Sequence, residues 1–340
     1  MKTCIIFFVA ALIQAEGLPP WNNGAPVDKH GRFTNLDGST PSRGFRDFLR
    51  WRIIESPRAR KATAGERPSP RVDNNGSSLR SNNTQTTVTW IGHATVFIQV
   101  SGLNILIDPN FSSKLGLAGK RRVPLGVAPE DLPPIDVVVI SHSHYDHLDK
   151  DTILKLSPSI QYFVPKGLKR FFTNMGREKS EEFDWGQKSE VSGVTFHFLP
   201  LQHWSRRSLT DMNKSLWGSW LIQAGETKIF FAGDTGYFTG FRSIGEVFPG
   251  ITVAFLPIGA YEPRWFMKEQ HMDPEEALQA FQDLKAHVLI PIHWGTFKVT
   301  DEPLDEPPRR LHEAAETMGI SPDRLKVLKI GETLTLPVHP

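Results

Sequence analysis

The sequence predicts an α/β fold, and three observations carry that expectation. From residue 87 onward, short apolar runs rich in Val, Ile and Phe recur between turns. Amphipathic helices with recognisable start and stop residues interleave with them. Histidines and aspartates fall just past the C-terminal ends of several runs, where open α/β sheets gather their ligands. Runs at 88–90, 96–100, 105–107, 194–198, 219–222, 228–231, 253–256 and 288–290 read as strands, and 137–140 as one buried on both faces. The clearest helix has Asp273 as N-cap, Pro274 at the first helical position, and Glu275 and Glu276 in the first turn. Its apolar residues Ala277, Leu278, Phe281 and Leu284 keep helical spacing. A second helix covers about 308–318 and stops at Gly319. No short-period repeat is visible, which argues against a solenoid.

The chain has 340 residues, 39% hydrophobic and 22% charged, which suits a soluble globular protein with a sizeable core. A formal charge of +2 gives no reason to expect a nucleic acid partner. Residues 1–17 read as a signal peptide: a basic start, an apolar run at 4–13, then small residues including Ala15 and Gly17. That implies a secreted or lumenal protein, or an intracellular membrane-associated one if the segment is not cleaved. The only cysteine, Cys4, lies inside this segment, so a metal in the mature chain must be held by His, Asp or Glu. Sequons at Asn75, Asn82, Asn110 and Asn213 are compatible with the secretory route. Residues 18–86 read as an N-terminal extension and linker, and 87–337 as the main domain. Within the extension, 43–55 is expected as a short basic helix with Phe45, Phe48 and Leu49 on one side, packing on the domain or touching lipid. Residues 56–86 are expected to be flexible, loosest at Asn74-Asn75-Gly76-Ser77-Ser78.

The string Ser141-His142-Ser143-His144-Tyr145-Asp146-His147 follows a buried strand directly. His142 and His144 can face one ion, while Asp146 and His147 turn toward a second. Three further residues stand in equivalent places. His203 follows the 194–198 run, Asp234 the 228–231 run, and His293 the 288–290 run. Singly each could be a turn residue; their joint occurrence points to a metal centre.

This pattern resembles the metallo-β-lactamase superfamily, and implies its αβ/βα sandwich. Carried over residue by residue, one metal takes His142, His144 and His203. The second takes Asp146, His147 and His293, and Asp234 bridges them. Nitrogen and oxygen ligation suits two Zn2+ ions, with Mn2+ or Fe as alternatives. Asp108, in Leu106-Ile107-Asp108-Pro109, resembles the Asp that supports a ligand from behind, or is a plain turn-former.

Longer strings narrow the resemblance to N-acyl-phosphatidylethanolamine-hydrolysing phospholipase D. They include Thr87-Val88-Thr89-Trp90-Ile91-Gly92-His93-Ala94-Thr95, Phe230-Phe231-Ala232-Gly233-Asp234-Thr235-Gly236-Tyr237, and Ile292-His293-Trp294-Gly295-Thr296-Phe297. The longest is Pro257-Ile258-Gly259-Ala260-Tyr261-Glu262-Pro263-Arg264-Trp265-Phe266-Met267-Lys268. The similarity covers about 86–335. It implies cleavage of an N-acylated phospholipid at a membrane surface, giving phosphatidic acid and an N-acylethanolamine, and it leaves a homodimer open. Tyr145 and His271 match residues that contact substrate, and either His271 or Asp146 could protonate the leaving group. Trp204, Trp265, Phe266 and Phe297 could line an acyl groove or pack in the core. Arg206, Thr210 and Lys298 differ in type from the family's bile-acid groove. The chain contains no His-x-Lys, which excludes the other phospholipase D chemistry.

Overall fold

The computed structural model describes residues 19, 21–40, 44–57, 66–116 and 119–337; the expected signal segment, 1–17, lies outside them. Two sheets face each other. The first contains β1 (Thr87–Gly92), β2 (Thr95–Val100), β3 (Leu103–Ile107), β4 (Val137–Val139), β5 (Gln161–Pro165), β6 (Ser180–Phe183) and β13 (Thr333–Thr335), ordered β13-β1-β2-β3-β4-β5-β6. The second contains β7 (Lys188–Val191), β8 (Val194–Leu199), β9 (Ser219–Ala224), β10 (Thr227–Phe231), β11 (Val253–Pro257) and β12 (Val288–Ile292), ordered β12-β11-β10-β9-β8-β7.

Side-chain alternation along the strands sorts two layers. Trp90, Val96, Ile98, Ile105, Ile107, Val137 and Val139 face the second sheet, where they meet Phe198, Trp220 and Ile222. Phe97, Leu106 and Val138 point outward and are covered by Ile153 and Phe172, from the helices Lys150–Lys155 and Lys169–Thr173. The outer face of the second sheet is covered by Pro274–Asp283, which packs on β11. That helix carries the expected cap: the Asp273 carboxylate accepts from Glu276 N at 2.9 Å, with Pro274 in the first turn. The last helix runs Glu306–Thr317, and Gly319 takes a positive φ of 66° just beyond it. This is a four-layer αβ/βα sandwich. Among the described residues, no helix is long and apolar enough to cross a membrane.

The short helix expected in the extension is present and packs on the domain, while the linker after it is more ordered than expected. The helix at Phe45–Leu49 continues into a π-helical turn at Arg50–Glu55, and its anchor is not the Phe48 face. Phe48 is exposed, while buried Trp51 donates to Asp301 Oδ2 at 2.6 Å and Ser56 donates to Asp301 Oδ1 at 2.6 Å. The described part of the linker, 66–86, is tied to the domain. Ser69 donates to the Gly295 carbonyl, Asn74 donates to the Gly331 carbonyl, and Ser77–Ser81 is helical with Leu79 buried. The linker's backbone is paired as well: Val72 N donates to the Ile330 carbonyl, Asn74 N to the Gly126 carbonyl, and the Pro70 carbonyl accepts from Ile330 N, groups that a free linker would leave to water. Of the sequon asparagines, Asn110 and Asn213 are buried and serve the fold, whereas Asn75 is exposed.

Candidate metal centre

Strand direction explains why the site residues meet. β1 and β3 are each antiparallel to β2, and β3 is parallel to β4, so all three end on one side. By the same logic β8, β10 and β12 end together in the second sheet. The loops after these six strands carry His93, Asp108, residues 142–147, His203, Asp234 and His293. Three of them, His93 (φ 55°), Asp108 (φ 43°) and His293 (φ 62°), have left-handed backbones. Each such residue costs on the order of 1–3 kcal/mol unless its surroundings enforce it. Gly259, after β11, lets the chain pass so close to the His293 carbonyl that a Cβ would collide with it.

All seven residues expected as ligands converge, in two halves. In the first, His142 Nε2 and His203 Nε2 lie 2.9 Å and 3.2 Å from His144 Nδ1. His203 Nδ1 donates to the Gln270 carbonyl at 3.0 Å. His142 Nδ1 donates to Ser141 Oγ at 3.0 Å, since that hydroxyl gives its own proton to Asp108. Both rings therefore aim bare lone pairs at His144, which has at most one proton to offer there. A cation satisfies all three nitrogens; a proton does not.

In the second half, Asp146 Oδ2 lies 3.4 Å from His293 Nε2 and 3.8 Å from His147 Nε2. Asp234 stands between the halves, with Oδ2 3.1 Å from His147 Nε2 and Oδ1 3.1 Å from His293 Nε2. Its Oδ2 is also 3.9 Å from His142 Nε2 and 3.9 Å from His271 Nδ1. Asp108 is fully buried behind His147, whose Nδ1 donates to its Oδ2 at 2.7 Å, and its Oδ1 accepts from Ser141 N at 2.7 Å. Asp108→Asn should weaken metal uptake by about 10- to 100-fold, the usual cost of losing the partner behind a ligand. A chelator-competition titration checks this, and wild-type affinity would show that Asp108 is only a turn residue.

Electrostatics match the donor set. Burial holds His142 and His203 well below the usual imidazole range and lowers His144 and His271 to about 4, so these rings are neutral lone-pair donors. Burial also opposes charge on His147 and His293. Asp234 and Asp146 outweigh it, lifting His147 well above its usual range and His293 to about 9. Burial pushes the carboxyls of Asp146 and Asp234 up, yet the surrounding imidazoles hold both well below. Without an ion, the two carboxylates draw protons onto His147 and His293, the positive charge a metal would supply. His142, His144, His203 and Asp234 can hold one ion; Asp146, His147 and His293, with His93 beside them, can hold a second, and Asp234 reaches that set at 3.1 Å from His147 and His293.

The remaining expected residues fall around this cluster. His271, 13% exposed at its side chain, borders Asp234 and His293. Tyr145 is half exposed; its hydroxyl donates to the Arg207 carbonyl at 2.6 Å, and Arg207 lies over its ring. Tyr145, Ser143, Arg207 and Phe171 help line a cavity of about 590 Å3 beside the loop. Trp204 packs edge-on against His144. Phe297 is buried against His93, and Trp265 donates to Glu55, so these two serve packing and the extension. Lys298 is paired with Glu66 at 2.6 Å. Two contributors were not anticipated. Asn35, far outside the domain in sequence, accepts from His203 N at 3.0 Å, and nothing in the local pattern marks it. His93 lies 3.1 Å from Asp146 Oδ2, and its place just past a strand end was the same signal that marked the others.

Comparison with known proteins agrees. Residues 103–294 match the Beta-lactamase superfamily domain. A Caenorhabditis elegans protein, N-acyl-phosphatidylethanolamine-hydrolyzing phospholipase D 1, is 39% identical over 243 residues, covering 66% of this chain and 68% of that one. The mitochondrial N-acyl-phosphatidylethanolamine-hydrolyzing phospholipase D of Saccharomyces cerevisiae is 37% identical over 257 residues, covering 72% of this chain and 55% of that one. The solved structure of Igni18, a metallo hydrolase from Ignicoccus hospitalis, superposes with a TM-score of 0.60 at 25% identity, covering 75% of this chain and 100% of that one. Fold and site together define a metal-dependent hydrolase of the metallo-β-lactamase superfamily. Within it, the chain belongs to the N-acyl-phosphatidylethanolamine-hydrolysing phospholipase D family.

Proposed function

We propose that this enzyme hydrolyses N-acyl-phosphatidylethanolamine at a membrane surface, releasing phosphatidic acid and an N-acylethanolamine, with two zinc ions per chain. The observation that carries the proposal is Asp234, whose oxygens lie 3.1 Å from His147 and His293 in one half and 3.9 Å from His142 in the other. One carboxylate reaching both halves suits a phosphodiester, whose oxygens need charge compensation on two sides. Two bound ions would neutralise the phosphoryl oxygens and make a water acidic enough to attack. Water oxygen joins phosphorus, the bond to the N-acylethanolamine oxygen breaks, and that oxygen takes up the proton the water gives up.

The chain's own groups orient and exchange protons. Asp146 and Asp234 stay ionised, and His142, His144 and His203 stay neutral. His271 and Asp146 are the two candidates to hand a proton to the leaving oxygen. Neither stores one at neutral pH, so the donor must receive it during turnover. His271 is the better placed, because its ring borders both halves. Tyr145, at the rim of the adjoining cavity, contacts the substrate headgroup.

His271→Gln should lower lipid turnover by about 10^2- to 10^4-fold, the range typical of proton donors. A p-nitrophenyl phosphodiester, whose leaving group needs no proton, should suffer far less. Equal losses on both substrates would reduce His271 to a binding contact. The substrate itself is tested by assaying zinc-replete protein on N-acylated and unacylated phosphatidylethanolamine, a nitrophenyl phosphodiester and a lactone. Turnover of the N-acylated lipid is expected; an opened lactone beside untouched lipid would refute the proposal.

A further inference from the structure

We propose that His93 is a positioning residue for the second metal, clamping Asp146 through its side chain and His293 through its backbone. This rests on the two-ion reading of the cluster. His93 occupies the turn between β1 and β2 and is 1% exposed. Its Nε2 lies 3.1 Å from Asp146 Oδ2, the oxygen that faces His147 and His293. With Asp146, His147, His293 and Asp234 holding the ion, Nε2 carries the proton and donates it to Asp146; a bare Nε2 would instead be a further ligand beside them. The other nitrogen, Nδ1, is buried with no hydrogen-bond partner among the described residues. No second acceptor competes for the ring.

The backbone of the same residue completes the clamp. The His93 carbonyl accepts from His293 N at 3.0 Å and from Trp90 Nε1 at 2.8 Å, while His93 N donates to Thr296 Oγ1 at 2.8 Å. Its ring lies over His293 with centroids 4.1 Å apart. The strained φ of 55° is therefore fixed from both sheets at once, by Trp90 from β1 and by His293 and Thr296 beyond β12. His93 thus holds two of the three side chains that face the second ion alone, and none of those that face the first. With Nε2–H engaged, Asp146 Oδ2 keeps its place between His147 and His293 rather than rotating toward solvent.

The test compares two variants with opposite defects. His93→Phe keeps a ring over His293 and removes the donor; His93→Gln removes the ring and keeps a donor at a similar reach. Zinc content after dialysis, affinity from chelator competition, and the visible spectrum of the cobalt-substituted protein are read for each. Wild type should hold two ions. His93→Phe should keep the first ion and bind the second about 10- to 100-fold more weakly, with one component of the cobalt spectrum lost. His93→Gln should recover most of the second affinity. Unchanged second-site affinity in His93→Phe would overturn the clamp. So would a folded His93→Gln as weak as His93→Phe, and if His93→Phe does not fold, loss of the second ion in folded His93→Gln overturns it alone. Fewer than two ions on wild type would instead sink the two-ion reading itself.

Discussion

Asp234→Asn should reduce phosphodiester hydrolysis by about three orders of magnitude or more. Among the described residues, Asp234 is the only one whose oxygens reach imidazoles of both halves, at 3.1 Å to His147 and His293 and 3.9 Å to His142. A two-metal clamp contributes several kcal/mol at the reacting phosphate, and about 4 kcal/mol corresponds to about 10^3 in rate. The amide keeps the shape but loses the charge that both ions would share. It also presents an NH2 where an oxygen is needed. Zinc content should fall below two per chain while the far-UV circular dichroism is unchanged. A folded variant with wild-type turnover would mean that Asp234 does not bridge.

Trp220→Ala should be the most destabilising core substitution, by about 3–5 kcal/mol for an aromatic truncated to alanine. The Trp220 ring sits between the two sheets, 4.8 Å from Phe198, 5.1 Å from Phe183 and 6.2 Å from Phe163 by centroids. Its Nε1 donates to the Ile140 carbonyl at 2.9 Å, one residue before Ser141 and the histidine loop. Truncation leaves a void at the sheet interface and an unsatisfied carbonyl at the root of the site. Urea unfolding reads the loss. Trp220→Phe, which refills most of the void but makes no hydrogen bond, should cost about 1–3 kcal/mol. Equal stability of Trp220→Ala and wild type would show that the sheets do not share this core.

The central strands were legible because they are buried on regular faces. Val96, Ile98, Ile105 and Ile107 alternate with outward Phe97 and Leu106, and every strand expected from such patterning is present. The strands that patterning missed are mainly edges. β6, β7 and β13 close the sheets with sequences such as Ser180-Glu181-Glu182-Phe183 and Lys188-Ser189-Glu190-Val191, in which only Ser180 and Phe183 are buried. An edge strand gains its order from one neighbour's hydrogen bonds, which leave little mark on composition. The metal cluster was legible for a related reason. Its histidines and aspartates are too costly to bury without a partner ion, so their position after apolar strands is informative.

The helix of the extension was legible, but its anchors and the order of the linker were not, because these attachments are specific and distant. Trp51 meets Asp301 across 250 residues, and Asn35 reaches His203 across 168. No local period encodes such pairs, and Ser69 or Asn74 looks the same in a loop as in an anchor. The consequence for the site is direct. The segment from 21 to 57 holds His203 through Asn35 and borders Trp265 and Phe266 through Glu55 and Trp51.

Hydrolysis of N-acyl-phosphatidylethanolamine by the zinc-replete enzyme in water enriched in oxygen-18 tests the central claim most directly, because it reads which bond breaks. Attack at phosphorus should place one labelled oxygen in the phosphatidic acid and none in the N-acylethanolamine. Label in the N-acylethanolamine, or no products from this lipid at all, would contradict a phosphodiesterase built on Asp234 and its two rings of imidazoles.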